Sequence, residues 1–141
     1  METAQAIKWI IATAKADAPL VAVATGGFYE TFAPIGTTMP YFLVVAQQPG
    51  SDVLSGNRTR LMTHILLQIK VVGFTTGYDS LITGADRIDA LFGDTKNVAL
   101  SPGSMIACWR ENAIAYPDPN LVDGKQVRHL GGLYHIELKG A

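Results

Sequence analysis

Residues 58–72, RTRLMTHILLQIKVV, constrain the fold more than any other stretch of the chain. Along an extended strand, successive side chains point to opposite sides. Leu61, Thr63, Ile65, Leu67, Ile69 and Val71 therefore share one face. Met62, His64, Leu66, Gln68, Lys70 and Val72 share the other. The first set is almost wholly apolar and belongs to a core. The second mixes apolar, polar and basic groups, as expected for an antiparallel sheet covered mainly on one side. A strand this long cannot stand alone, so the rest of the chain must supply its neighbours and its cover.

The cover comes from two helical patterns. Ile7, Ile10, Ile11, Ala14 and Ala18 recur at helical spacing, which predicts a helix over residues 3–16 with Thr3 as its cap and Lys15 near the favourable end of its dipole. Asp17-Ala18-Pro19 breaks it and starts a short second turn through Val23, which Gly26-Gly27 closes. A second stripe, Leu81, Ile82, Ala85, Ile88, Leu91 and Phe92, predicts an amphipathic helix capped by Asp79 and closed by Gly93. Gly84 is costly inside it, by about 1 kcal/mol relative to Ala.

Residues 28–30 are a short extended piece, and residues 41–47 a β run rich in aromatic and branched side chains. Residues 49–57 are polar and turn-forming, which predicts an exposed loop, and residues 73–78 turn the chain into the second helix. Residues 104–116 and 126–139 are two further strands. The segment 117–124 between them is too long for a tight hairpin turn and contains the turn dipeptide Asp123-Gly124. Gly131-Gly132 inside the last strand points to a bulge or a close backbone approach. The expectation is a single α+β domain over residues 1–141. It has a mostly antiparallel sheet of about four strands against two main helices, in the order α-β-β-α-β-β.

Chemistry is hard to find in this chain. There is no GxxxxGK[ST], GxGxxG, HExxH or GxSxG. His129 and His135 are on one face of their strand if no bulge intervenes, but a metal there would need a third ligand. Cys108 reads as a small core residue, and Asp86 and Asp89, with Arg87 between them, as a solvated helix face. No catalytic residue, cofactor or metal is expected.

Charged residues make up only 16% of the chain, against a typical ~25%, and the net charge is −1. No basic stripe is present, which disfavours general nucleic-acid binding. No apolar run approaches the ~18 residues needed to span a membrane. The N-terminal segment lacks the pattern of a secretory signal, so a soluble protein made in a reducing cytoplasm is expected. A charge-poor surface with 14 Gly and 7 Pro suggests that part of it is covered by partners.

Ala33-Pro34-Ile35-Gly36-Thr37-Thr38-Met39-Pro40-Tyr41 is an AP-x-G-x-x-x-PY segment leading into the apolar run Phe42-Leu43-Val44-Val45. It resembles the tail-completion, or tail-terminator, family of tailed bacteriophages. The order of elements is similar too: a starting helix, the short piece Gly27-Phe28-Tyr29-Glu30, a long strand, a helix and paired C-terminal strands. The resemblance implies a virion protein at the tail–neck junction, assembled in the host cytoplasm. It forms a ring, hexameric as a rule, on the head-proximal end of the tail tube. The ring stops tube growth and offers a surface to the head–tail connector or head-closure protein. DNA can pass through such a ring without sequence-specific contacts. The family has no active site to carry over.

Trp9, lying beside the main stripe of its helix, is an interface candidate. So are Asp52, Arg58 and Arg60 around the first long loop, and Asp118, Asn120 and Asp123 in the second. Two alternatives remain. One is another neck protein, such as a head-closure component. The other is a small ligand-binding domain using a pocket between helix and sheet, with His64, Gln68 and Glu111 as its polar groups.

Overall fold

The computed structural model describes residues 2–74 and 78–140. The elements run α1 (Glu2–Lys15), α2 (Ala18–Val23), β1 (Phe28–Glu30), β2 (Tyr41–Leu54), β3 (Arg60–Phe74), α3 (Asp79–Phe92), β4 (Asp94–Ala99), β5 (Ser104–Pro117) and β6 (Val127–Lys139). The strands form one curled six-stranded sheet in the order β1-β2-β3-β6-β5-β4. Every pairing is antiparallel except β1 with β2.

The expected sheet of about four strands against two helices is therefore wrong, and sheet dominates the molecule. β1 and β4 complete the two edges, and α2 is a third helix. β4, DTKNVA, was missed because it carries almost no apolar alternation. It is an edge strand whose outward Asp94 and Lys96 discourage pairing with another chain. β2 was cut short at residue 47 because Pro49 and Gly50 looked like a loop. Register shifts between Ala46 and Gln48, and between Gln48 and Ser51, absorb those residues, and the ladder continues to Leu54. The true loop is residues 55–59. Part of the turn expected over residues 73–78 lies outside the described residues.

β3 keeps its two faces. Thr63, Ile65, Leu67, Ile69 and Val71 are buried beneath the helices, and only Leu61, near the strand's end, is exposed. Ala6, Ile7, Ile10 and Ala14 of α1, Leu20 of α2, and Leu81, Ile88 and Phe92 of α3 meet them. Tyr134, Ile136 and Leu138 of β6 and Met105 and Cys108 of β5 complete this core. Ile82 is not part of the stripe and is exposed. The N-cap of α3 is Tyr78, one residue before the expected Asp79. Gly84 earns its place in α3, because a Cβ there would sit 3.0 Å from Val71 and 3.1 Å from Val23. Asp17 caps α2 through the Leu20 N–H and also takes two hydrogen bonds from Arg87 of α3, tying two helices together.

Gly131 and Gly132 mark a close approach, with no register shift between β3 and β6. A Cβ on Gly131 would fall 2.2 Å from the Ile69 carbonyl oxygen and 2.6 Å from the Lys70 Cα. The bulges lie on β5 instead, between Met105 and Ala107 and between Arg110 and Asn112.

Candidate functional site

The side of the sheet facing away from the helices holds the unusual chemistry. Along β3 and β6 it presents the register pairs His64–Glu137, Leu66–His135, Gln68–Leu133, Lys70–Gly131 and Val72–His129. β5 adds Trp109, opposite His135, and Tyr116, opposite His129. Two polar clusters result, one towards each end.

The first cluster surrounds Lys70, which is buried at 4% exposure. Its Nζ donates to Gln68 Oε1 at 2.9 Å and to Tyr116 Oη at 2.6 Å. Gln68 in turn donates to Gln47 at 2.5 Å. Tyr116 stacks on His129, with ring centroids 4.6 Å apart, and His129 Nε2 lies 3.0 Å from Asp118 Oδ2. Burial pulls the Lys70 ammonium down to about 8, against the upward pull of Asp118. Burial likewise lowers His129, outweighing the hydrogen bond to Asp118. At neutral pH His129 is thus neutral, donates from Nε2, and its buried Nδ1 has no hydrogen-bond partner among the described residues. Burial pushes Tyr116 and Tyr41 up, and Asp118 adds to both. For Asp118 itself, burial raises the carboxyl, but the Asn120 N–H, His129 and Lys70 together bring it below its ordinary value.

The second cluster joins His64, His135 and Glu137. His64 Nδ1 lies 3.1 Å from His135 Nε2 and 3.6 Å from Glu137 Oε1. The three ligand atoms fall within 4.8 Å of one another. The other nitrogen of His135 faces Glu111 at 3.6 Å, and Trp109 stacks on the His135 ring at 4.4 Å and 19°. Sequence spacing paired His135 with His129. They do share a face, but each belongs to a different cluster, and the neighbour of His135 is His64, from β3. Nothing local in the sequence marks that pairing; it needs the β3–β6 register.

The candidates His64, Gln68 and Glu111 all lie on this outer side, not in a pocket between helix and sheet. Gln68 belongs to the Lys70 cluster, while His64 and Glu111 flank His135. Burial pushes the Cys108 thiol up to about 12, so it is held as the neutral core residue expected from its context.

The interface candidates divide between the ends of the sheet. Asp52 is exposed and accepts from Thr63 Oγ1 at 2.7 Å. Arg58 is exposed in the β2–β3 turn at a φ of 66°. Arg60 pairs with Glu2 at 2.6 Å. Asp118, Asn120 and Asp123 occupy the β5–β6 connection at the opposite end. Asp118 anchors it to His129 and takes the Asn120 N–H. Asp123-Gly124, both at positive φ, form a tight turn closed by two Val122–Lys125 hydrogen bonds. Trp9 is half-buried, its ring edge-on to Phe92 at 5.7 Å.

Exposed apolar groups lie towards both ends of the sheet. Phe32 and Ile35, in the loop before β2, are 75% and 107% exposed. Leu121 and Val122 of the β5–β6 connection are also exposed. Ile35 and the β5–β6 connection lie at one end of the sheet, where Ile35, Met39, Phe74 and Val122 line a shared groove. The β2–β3 turn, with Leu54 and Leu61 exposed beside it, lies at the other end. No helix among the described residues is long and apolar enough to cross a membrane.

No protein-family model and no curated protein matches the chain. Among solved structures, the fold is similar to that of a chain from the virion of a native gene transfer agent particle. The likeness has a TM-score of 0.67 at 18% identity, over 93% of this chain and 92% of the other. At that identity the two chains share a fold across nearly their whole lengths.

Proposed function

We propose that this chain is a virion structural protein and, within that class, a tail terminator: a ring, hexameric as a rule, that caps the tail tube and joins it to the head connector. The observation that carries the reading is the end-to-end likeness to a chain of a gene transfer agent virion. The AP-x-G-x-x-x-PY segment, read first as resembling tail terminators, supplies the exposed Ile35 and leads directly into β2.

The arrangement of the loops supports it. β3 has 15 residues, so the two loop-bearing ends of the sheet are separated by at most about 45 Å of strand. One end carries Ile35, Leu121 and Val122; the other carries Val53, Leu54 and Leu61 beside the β2–β3 turn with Arg58. A terminator needs two such unlike ends, one for the tube and one for the connector. In this role the protein acts by assembly and has no catalytic step. Its partners are further copies of itself, the tube protein and a connector or head-closure protein.

The test is electron microscopy of particles made without the protein, followed by addition of the purified chain. The expected result is intact heads and tubes of uncontrolled length that do not join, with joining restored by addition. Normal particles in the absence of the protein would refute the role. Heads that leak or fail to close, with tails of normal length, would replace it with head closure.

A further inference from the structure

We propose that His64, His135 and Glu137 form a binding site for a divalent transition metal ion, zinc above all, on the outer side of the sheet. The chemistry of the donors comes first. Two imidazoles and one carboxylate are a standard three-ligand set for zinc, with a fourth position left for water or another group. Zinc holds imidazole nitrogens at about 2.0–2.1 Å, so two of them in a tetrahedral site lie about 3.4 Å apart. The His64–His135 separation is 3.1 Å and the His64–Glu137 separation 3.6 Å, on either side of that value.

The placement is rigid. His64 and Glu137 are register partners on adjacent central strands, and His135 is two residues before Glu137 on the same face. Adjacent strands in the middle of a sheet fix such groups better than loops do. All three side chains are partly exposed, at 29%, 22% and 26%, so an ion can reach them from solvent.

The surroundings match a metal site as well. A metal-bound histidine commonly gives its other ring N–H to a carboxylate, which sets the tautomer and strengthens the ligand. Glu111 occupies that position, 3.6 Å from His135 Nδ1, while Nε2 of the same ring points at His64. Trp109 stacks on His135 and holds its plane. With Nδ1 of His135 protonated towards Glu111, the proton between the two imidazoles belongs to His64 Nδ1. Metal binding requires that proton to move to His64 Nε2, by exchange through solvent, so that both rings stay neutral and the two facing nitrogens offer their lone pairs.

The test uses the full chain after chelation and dialysis. Zinc chloride is titrated by calorimetry, and cobalt chloride is followed by its visible absorption. The expected result is one zinc per chain, an intense tetrahedral-type cobalt spectrum and a change in tryptophan fluorescence from Trp109. His64→Ala, His135→Ala and Glu137→Gln each lower affinity at least a hundredfold, and Glu111→Gln lowers it about 10–100-fold. His129→Ala leaves it unchanged. Circular dichroism checks that each variant is folded; if a histidine variant is not, Glu137→Gln, at a partly exposed position, decides. Absence of stoichiometric binding by the wild-type chain overturns the proposal. So does zinc binding that survives Glu137→Gln undiminished, or that His129→Ala removes.

Discussion

Lys70 gives the outer side of the sheet a measurable signature. Its ammonium is buried at 4% exposure, with Gln68 and Tyr116 as hydrogen-bond partners and Asp118 as the opposing charge. The folded-state pKa is about 8, against 10.5 ordinarily. Below pH 8 the group is charged in both folded and unfolded chains, and the full burial cost is present. As pH rises through 8, the folded chain sheds a proton that the unfolded chain keeps until about 10.5, so the cost shrinks and stability rises. The whole window is worth about 3 kcal/mol, of which about 2 kcal/mol is recovered by pH 9.5.

Tyr41, Tyr116, Tyr134 and Cys108 are all pushed up by burial, and they oppose this trend in alkali. A direct pH profile of the wild-type chain would mix these effects. Lys70→Met separates them, since methionine fills much of the same space and does not titrate. Urea unfolding of both chains at pH 7 and pH 9.5, at concentrations too low for self-association, gives the stability difference at each pH. The stability of Lys70→Met relative to wild type should fall by about 2 kcal/mol between the two conditions. An equal difference at both would refute the claim that the folded chain buries this charge.

Three further perturbations address the scaffold. Ile69→Ala, at a fully buried position in the middle of β3, should cost about 2–5 kcal/mol in urea unfolding; a loss near zero would contradict the core described above. Gly131→Ala drives a Cβ into the Ile69 carbonyl and the Lys70 Cα, so it should cost at least about 3 kcal/mol or abolish soluble expression, measured by thermal melting of whatever is recovered. Asp17→Ala removes the α2 cap and should cost about 1 kcal/mol at neutral pH. The Asp17 carboxyl is held low first by the Arg87 hydrogen bond, so its contribution is present above the ordinary carboxylate pKa and fades as pH falls through the lowered value. The gap between wild type and variant should accordingly close in acid, and a gap independent of pH would argue against the pairing.

Much of the helix-facing core could be read from periodicity. Ile65, Leu67 and Ile69 alternate cleanly, Leu81, Ile88 and Phe92 repeat at helical spacing, and all are buried. The misses have physical causes. β4 is held by pairing with β5 and by its edge position, so its sequence needs little apolar pattern. β2 crosses Pro49-Gly50 because register shifts accommodate residues that would end a regular ladder. The outer side was legible only as mixed. His64 and His135 are 71 positions apart, and their contact depends on a register that no local window encodes.

The same geometry bears on how copies could assemble. A heterologous contact repeated by rotation closes into a ring, whereas one repeated along an axis grows into a filament. A chain that caps a filament must therefore separate two kinds of surface: lateral ones that meet its own copies, and axial ones that meet different partners. In this fold the strands run between the loop-bearing ends, and the edges β1 and β4 lie on either flank. Charged groups on β4 and the shortness of β1 discourage simple extension of the sheet from chain to chain. In the proposed ring, lateral contacts would then come from side chains, on the outer side of the sheet or on the helices, rather than from added strand pairing. The groups around Ile35 and Val122 at one end, and those around Leu54, Arg58 and Leu61 at the other, are exposed and would be open to axial partners. If the proposed terminator role holds, substitution at Ile35 is expected to act on joining to one partner and substitutions in the β2–β3 turn on joining to the other, while both leave ring closure, read by electron microscopy, intact.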